Sequence, residues 1–234
     1  MAQQTTLITG ASSGIGMELA REFAQHGHSI VLVARGVDKL EELAHELRSK
    51  HNVRAEVIGA DLTQPNAPEQ IVKTLAERNL TIDVLVNNAG FGERGAFAQI
   101  DTQRQLDMIQ VNITAVAHLT RLLLPGMIQR NAGGILNVAS TAAFQGGPNM
   151  AMYYATKAFV LSFTEALHEE VTGTNLHVTC RCPGRRIPGL WQPRIWKALT
   201  YLRWARRRLK RWRKSATRLS RTIRLSPFPI SRIN

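Results

Sequence analysis

The stretch TGASSGIG, residues 9–16, lies between a short β-prone run at residues 5–8 and a segment with helical spacing at residues 17–23. A glycine-rich turn in that position lets the backbone bend sharply and lets a phosphate approach closely. The free N–H groups and the positive dipole end of the following helix can then hold the anion. The turn predicts a dinucleotide-binding loop, and the alternative is a tight strand–helix connection without a ligand.

Apolar runs of strand length alternate with segments of helical spacing through the first 184 residues. Near-continuous apolar runs are typical of parallel strands that are buried on both faces of a sheet. The order predicts an α/β fold, a Rossmann-like doubly wound parallel sheet with helices on both faces. The predicted strands are residues 5–8, 29–34, 54–60, 82–87, 135–140 and 175–181, and the predicted helices are residues 17–23, 38–50, 68–78, 103–130 and 151–172.

The composition of the chain changes abruptly after Pro183 and Gly184. Residues 185–234 carry 16 of the 30 Lys and Arg residues, all four Trp and no Asp or Glu. The first 184 residues therefore carry 14 basic and 17 acidic side chains, although the whole chain has a net charge of +13. We expect residues 1–184 to form a dinucleotide-binding core with the catalytic residues. We expect residues 185–234 to form a disordered or loosely helical tail, because their like charges repel.

The end of the second predicted strand carries a signal for the cofactor. Arg35 follows Ala34 directly at that point. In dinucleotide folds an acidic residue near this position binds the ribose 2′-hydroxyl, whereas an Arg accommodates a 2′-phosphate. Arg35 therefore favours NADP(H) over NAD, and the alternative is a solvated Arg at a strand end. The fourth strand ends in a polar, glycine-rich turn at residues 87–92, on the sheet edge where ligands of such folds bind.

Tyr153 and Lys157 are four residues apart in a predicted helix and therefore lie on one helix face. A phenol has an unperturbed pKa of about 10, which is too high for acid–base work at neutral pH. An ammonium group within about 4–6 Å favours the phenolate and lowers that pKa. The pair predicts a general acid–base group, although such a pair is usually structural when it stands alone. Tyr154 lacks the arrangement, because its partner at that spacing is Ala158.

Five separate motifs occur in one order along the chain: the glycine stretch, residues 87–90, Asn112, Ser140, and Tyr153 with Lys157. Ser140 precedes Tyr153 by 13 residues, and the turn Pro183-Gly184 follows the sixth strand. In this combination residues 5–184 resemble the short-chain dehydrogenase/reductase family. The local sequence around Ser140 and Tyr153 is similar to that of bacterial NADP-dependent reductases of unassigned substrate.

The resemblance implies a role for each of these residues. Tyr153 would give or take the proton on the substrate oxygen, and Ser140 would hydrogen-bond that oxygen. Lys157 would lower the pKa of Tyr153 and bind the nicotinamide ribose. Asn112 would carry a water that links Lys157 to solvent; taken without the resemblance, it is a mildly destabilising surface residue of a helix. The residues expected to bind the cofactor are Gly10, Ser12, Ser13, Gly14, Ile15, Gly16, Arg35, Asp61, Leu62, Asn88, Ala89, Gly90, Tyr153, Lys157, Pro183 and Gly184.

The family pattern stops after Gly184. Members of the family continue with a loop over the nicotinamide, a substrate lid and a seventh strand, and we expect the lid and the last strand to be missing here. One explanation is a basic tail that binds nucleic acid or an anionic membrane surface. The other, which we favour, is a change of reading frame. One back-translation of residues 185–198 in the neighbouring frame gives AADSGFVATANMES, which looks like a family loop.

A changed frame would leave the edge of the sheet unpaired, and it therefore predicts weak stability and poor turnover. Sequencing the gene through the codons for residues 180–190 would decide between the two explanations. Nucleotides that cannot encode a family-like continuation in a neighbouring frame would exclude the change.

The sequence leaves three functions open. The first is an NADP(H)-dependent oxidoreductase that interconverts a carbonyl and an alcohol, with activity impaired by its terminus. The second is a catalytically inactive nucleotide-binding remnant of the family, and the third is binding of nucleic acid or membrane by the tail. The resemblance also implies a small-molecule substrate and a homo-oligomer formed through the helices at residues 103–130 and 151–172.

Cys180 and Cys182 are the two cysteines of the chain. Two thiols make no structural zinc site by themselves, so we expect no metal. Free thiols are typical of a reducing compartment, and no apolar run reaches the roughly 18 residues that a membrane span needs. We therefore expect a cytoplasmic protein.

Overall fold

The computed structural model describes residues 3–184. Its centre is one sheet of six parallel strands: β1 (Thr5–Thr9), β2 (Ser29–Ala34), β3 (Ala55–Gly59), β4 (Val84–Asn87), β5 (Gly133–Val138) and β6 (Leu176–Arg181). The strand order is β3-β2-β1-β4-β5-β6. The order reverses between β1 and β4, and the connections after these two strands run to helices on opposite faces of the sheet. Such a switch point leaves a crevice at the carboxyl edge of the sheet, where ligands bind.

Helices cover both faces of the sheet. One face carries α1 (Gly14–Gln25) and α2 (Val37–His51), and the other carries α3 (Ala67–Glu77), α5 (Ala115–Arg130) and α6 (Ala151–Glu170), with α4 (Thr102–Ile109) leading into α5. The predicted doubly wound α/β fold is confirmed.

The core follows from the alternation of side chains along each strand. Leu7 of β1 belongs to the apolar cluster under α3, α5 and α6, whereas Ile8 belongs to the cluster under α1 and α2. Both residues are fully buried. A strand that is covered on both faces needs apolar residues at every position, which explains the continuous runs in the sequence.

The single helix predicted over residues 103–130 is present as Thr102–Arg130, and a π turn divides it into α4 and α5. After α4 the chain makes a π turn at Gln110–Thr114 before α5 begins. Asn112 lies inside this turn and is 1% exposed, so it is not a surface residue. By length and composition the helix Thr102–Arg130 could cross a membrane. Leu119 and Met127, however, pack into the core against the sheet, and core helices often have a similar length and composition.

Four predictions fall on residues 185–234 and therefore lie outside the described residues: the missing seventh strand, the missing lid, the disordered tail and its binding of nucleic acid or membrane. The division of the chain at residue 184 also stays a prediction. Within the described part of the chain, β3 and β6 are the outer strands of the sheet.

Candidate active site

The glycine stretch joins β1 to α1 in backbone conformations that favour glycine. Gly10 and Gly14 have φ angles of 65° and 61°. A Cβ on Gly10 would lie 2.8 Å from the Cα of Ala89, and a Cβ on Gly16 would overlap the carbonyl oxygen of Gly10. A Cβ on Gly14 would meet no atom of the described residues within 4 Å. Packing therefore requires two of the glycines, and the third leaves the first turn of α1 open to a ligand.

The loop after β4 is bonded to this glycine stretch. The hydroxyl oxygen of Thr9 accepts hydrogen bonds from the backbone N–H groups of Asn88 and Ala89, each at 3.0 Å. The side-chain amide of Asn88 donates to the carbonyl oxygens of Thr9 at 2.9 Å and Gly10 at 3.2 Å. The two loops that flank the switch point are therefore bonded directly to each other, and no sequence pattern indicated the part played by Thr9.

An open cavity of about 1470 Å³ lies at this edge of the sheet. All but two of the predicted site residues line it, and the two exceptions are Gly16 and Asn112. The predicted residues that line the cavity are Gly10, Ser12, Ser13, Gly14, Ile15, Arg35, Asp61, Leu62, Asn88, Ala89, Gly90, Ser140, Tyr153, Lys157, Pro183 and Gly184.

Lys157 is a buried cation at one end of the cavity. It is only 5% exposed, and its Nζ donates a 2.9 Å hydrogen bond to the carbonyl oxygen of Val138. A Cβ on Gly90 would lie 3.2 Å from that Nζ, so the glycine makes room for the amine. Burial penalises the charged form and lowers the pKa of Lys157 to about 8. The amine is therefore still mostly protonated at neutral pH.

Tyr153 and Ser140 border the cavity beside this amine. The Nζ of Lys157 lies 5.9 Å from the centre of the Tyr153 ring, on the same side of α6. Strand β5 ends earlier than the sequence predicted, so Ser140 caps the 3-10 turn Thr141–Phe144 instead of ending the strand. Its Oγ accepts a 3.1 Å hydrogen bond from the N–H of Ala142. Because the hydroxyl accepts there, its own proton remains available for another partner.

Asn112 lies behind the cavity wall and fixes the loop after β4. Its Oδ1 accepts a 3.1 Å hydrogen bond from the N–H of Phe91, and its Nδ2 donates to the carbonyl oxygen of Phe91 at 2.9 Å. The same Nδ2 also donates to the hydroxyl of Thr156 at 3.0 Å, which ties the π turn to α6. Both ends of the amide are thus bonded within the protein, and π turns of this kind recur at functional sites.

The sequence also missed residues at the Tyr153 end of the cavity. Gly92, Arg94, Thr141, Met150 and Tyr154 all line it. Gly92 ends the turn at residues 87–92 that was predicted to lie at the ligand edge, although it was not singled out, and Arg94 belongs to a loop without periodicity, so no pattern marked it in advance.

The residues at the other end fit a dinucleotide with a 2′-phosphate. The open first turn of α1, with Ser12 and Ser13, presents hydrogen-bond donors of the kind that hold a pyrophosphate. Arg35 is exposed on the cavity and forms no ion pair with the described residues, so its charge is available to a phosphate. Asp61 and Leu62 line the same end after β3, and Asp61 accepts a 3.0 Å hydrogen bond from the N–H of Thr63.

A parallel sheet with a glycine-rich switch point and a Tyr–Lys pair defines a dinucleotide-dependent oxidoreductase. The family model described as short chain dehydrogenase matches residues 4–191. The chain therefore belongs to the short chain dehydrogenase family, and the resemblance seen in the sequence is confirmed.

Relatives within the family agree with this class. The very-long-chain 3-oxoacyl-CoA reductase of Homo sapiens is 36% identical over 182 residues, which are 76% of this chain and 57% of that protein. The crystal structure of L-sorbose reductase from Gluconobacter frateurii with NADPH and L-sorbose has a TM-score of 0.73 and 35% identity, over 79% of this chain and 70% of that one.

A bulky-bulky ketone specific alcohol dehydrogenase from Comamonas testosteroni has a TM-score of 0.81 and 31% identity, over 98% of both chains. Family and relatives together identify the chain as an oxidoreductase that acts on CH–OH groups.

Proposed function

We propose that the chain is an NADP(H)-dependent carbonyl reductase that also catalyses the reverse oxidation of the alcohol, with Tyr153 as the general acid–base group. One observation carries this proposal: Tyr153, Lys157 and Ser140 all line the cavity that begins at the glycine stretch, with the buried amine of Lys157 5.9 Å from the centre of the Tyr153 ring. NADPH in the crystal structures of related reductases supports the choice of cofactor.

The proposed cofactor-binding residues follow the length of the cavity. The first turn of α1 would hold the pyrophosphate, Arg35 the 2′-phosphate, and Asp61 and Leu62 the adenine end. Asn88, Ala89 and Gly90 would flank the ribose beside Lys157. When bound, the nicotinamide supplies or accepts the hydride.

The proton chemistry belongs to the chain's own residues. During reduction the substrate oxygen gains negative charge, and Tyr153 donates a proton to it while the hydroxyl of Ser140 donates a hydrogen bond. The charged Lys157 favours the phenolate that remains, because opposite charges attract strongly in a buried site. Lys157 also donates to the ribose. Asn112 would carry a water that links Lys157 to solvent; since both N–H groups of its amide are bonded to Phe91 and Thr156, that water would donate to its Oδ1 or bind the backbone of the π turn.

The test is the substitution Tyr153→Phe in the full chain. Cofactor binding should persist, because the ring and its packing stay in place. NADPH-dependent reduction of a panel of ketones should fall by about 10²–10⁴, the usual contribution of a positioned acid–base group.

Tyr154→Phe is the matched comparison, because Ala158 stands where Tyr154 would need a lysine. This variant should reduce ketones at least about tenfold faster than Tyr153→Phe. Equal rates in the two variants would contradict the assignment. Tight NADPH binding without turnover in the unsubstituted chain would instead favour the nucleotide-binding remnant.

We also propose a homo-oligomer that forms through α4, α5 and α6. Leu106 of α4 and Ile128 of α5 are 51% and 48% exposed, and their apolar side chains favour a covered surface. Light scattering of the purified chain tests this proposal, and a monomer at micromolar concentration would contradict it.

A further inference from the structure

The loop after β4 is bonded to other elements on both sides of Arg94. On one side, Asn112 binds both backbone groups of Phe91, and the guanidinium of Arg104 lies 4.2 Å from the centre of the Phe91 ring. On the other side, the N–H of Gly95 donates a 2.9 Å hydrogen bond to the carbonyl oxygen of Asn149. The backbone that carries Arg94 is therefore anchored at both ends.

This loop passes directly beside the proposed acid–base group. A Cβ on Gly92 would lie 2.8 Å from Cδ2 of Tyr153, so the backbone touches the phenol ring. Arg94 is two residues further, which is at most about 7 Å along the chain. It also lines the same cavity as Tyr153. Arg94 thus lines the cavity on the side where a reacting carbonyl compound would lie.

The charges around the cavity are divided between its two ends. The acidic residues that line it are Asp38, Glu42 and Asp61, and all three follow β2 or β3 at the cofactor end. At the Tyr153 end, no acidic side chain of the described residues lines the cavity. Glu93, the acidic neighbour of Arg94, is instead held by Arg104 at 3.1 Å.

Arg94 therefore faces the cavity without an ion pair among the residues that the structure describes. Its planar guanidinium offers two parallel donors that match a carboxylate or a phosphate. We propose that Arg94 is the specificity residue of the substrate end and that the carbonyl substrate carries an anionic group, a carboxylate or a phosphate. This inference rests on the proposed reductase function, since it names the class of compound reduced at the same site.

The test compares substrates with and without an anionic group. One pair is 3-oxobutanoate and its methyl ester. The second is acetoacetyl-CoA and the acetoacetyl thioester of N-acetylcysteamine, which lacks the phosphates. If Arg94→Gln lowers kcat/KM for the anionic member of the first pair only, Arg94 binds a carboxylate close to the carbonyl. If it lowers kcat/KM for the anionic member of the second pair only, Arg94 binds a phosphate further away.

Arg94→Gln should lower kcat/KM for the anionic member of one pair by at least about tenfold, the size expected for a hydrogen bond between charged groups. The neutral member should change little. Arg94→Lys should recover part of the loss, because it keeps the charge but not the fork. Lys73→Gln on α3 removes the same charge from an exposed side chain outside the cavity, and it should leave both pairs unaffected.

Two results would overturn the inference. An equal loss on charged and neutral substrates would mean that Arg94 only supports the loop. A change below about threefold on both anions would mean that it is a solvated surface residue.

If no ketone is reduced at all, the proposed function fails, but the inference is still decided. Calorimetric titration of the chain with 3-oxobutanoate and with CoA in the presence of NADPH should then show binding that Arg94→Gln weakens by the same factor. No binding of either anion by the unsubstituted chain would refute it.

Discussion

Replacing Lys157 by Met should reveal how much stability the site loses by burying an ammonium group. Burial lowers the pKa of Lys157 from 10.5 to about 8. At about 1.36 kcal/mol per pKa unit, the charged amine costs the folded chain about 3 kcal/mol at pH 7. The substitution removes that cost but leaves the carbonyl oxygen of Val138 without its donor, which costs about 1–3 kcal/mol. Lys157→Met should therefore be as stable as the parent chain at pH 7, or more stable, although it is expected to lose turnover.

The pH dependence gives a sharper test than the stability at one pH. Because the folded pKa is lowered, the unfolded chain binds more protons than the folded chain between pH 8 and 10.5, and this window follows from the two pKa values. The free energy of unfolding of the parent chain therefore rises with pH across that window. For these pKa values the rise from pH 7 to 9.5 is about 2 kcal/mol. The Met variant lacks the group, so its advantage over the parent should shrink by that amount.

Urea unfolding of the cofactor-free chains, followed by circular dichroism at pH 7 and pH 9.5, measures both free energies. The difference between variant and parent cancels the other groups that titrate in this range. Lys73→Met is the control, because Lys73 is exposed on α3, and its difference from the parent should not depend on pH. A Lys157→Met chain that is less stable than the parent by more than about 1 kcal/mol at pH 7, or whose difference does not change with pH, would refute the reasoning.

Three further predictions concern single groups elsewhere in the described residues. Arg35→Gln should weaken NADPH binding by about 10- to 100-fold, the loss of a charged hydrogen bond, and leave NADH binding nearly unchanged in fluorescence titrations. Burial lowers the pKa of His28, so the unfolded chain binds a proton at a higher pH than the folded chain does. The free energy of unfolding should therefore fall as the pH drops through about 6.5. In urea unfolding, His28→Gln should remove the part of this decrease that His28 causes. The sulfurs of Cys180 and Cys182 are 3.9 Å apart, and the hydrogen bond between them lowers the pKa of Cys182. Iodoacetamide should therefore alkylate the partly exposed Cys182 before the buried Cys180, as followed by mass spectrometry. Cys180→Ala should slow the alkylation of Cys182, because it removes the hydrogen bond.

The features that the sequence predicted well are those that depend on residues close together along the chain. The strand–helix alternation follows from apolar runs, and the glycine spacing of residues 9–16 predicts the turn there. Tyr153 and Lys157 meet because a helix fixes the geometry of residues four apart. In each of these cases, local backbone geometry leaves little freedom for a different outcome.

The features that the sequence did not predict depend on contacts between distant elements. Asn112 looked like a poor helix residue, yet 21 residues separate it from Phe91, whose N–H and carbonyl oxygen it binds. Nothing local could indicate that a π turn brings this amide to the loop after β4. The end of β5 was also misplaced, because the capping of a 3-10 turn by Ser140 competes with strand pairing only once the neighbouring strands are present.

The same distinction explains why the substrate end of the cavity is harder to infer than the cofactor end. At the cofactor end, the glycine stretch and Arg35 are each placed by the strand that precedes them, so their order along the chain already fixes their order in space. At the substrate end, the loop that carries Arg94 is held by Asn112, Arg104 and Asn149, which come from two distant parts of the chain. A substitution at Asn112 should therefore alter the discrimination between charged and neutral ketones as well as the rate of proton transfer, because it releases the loop that carries Arg94. If Asn112→Ala lowered the rates of both kinds of ketone by the same factor, the loop would not depend on this amide for its shape.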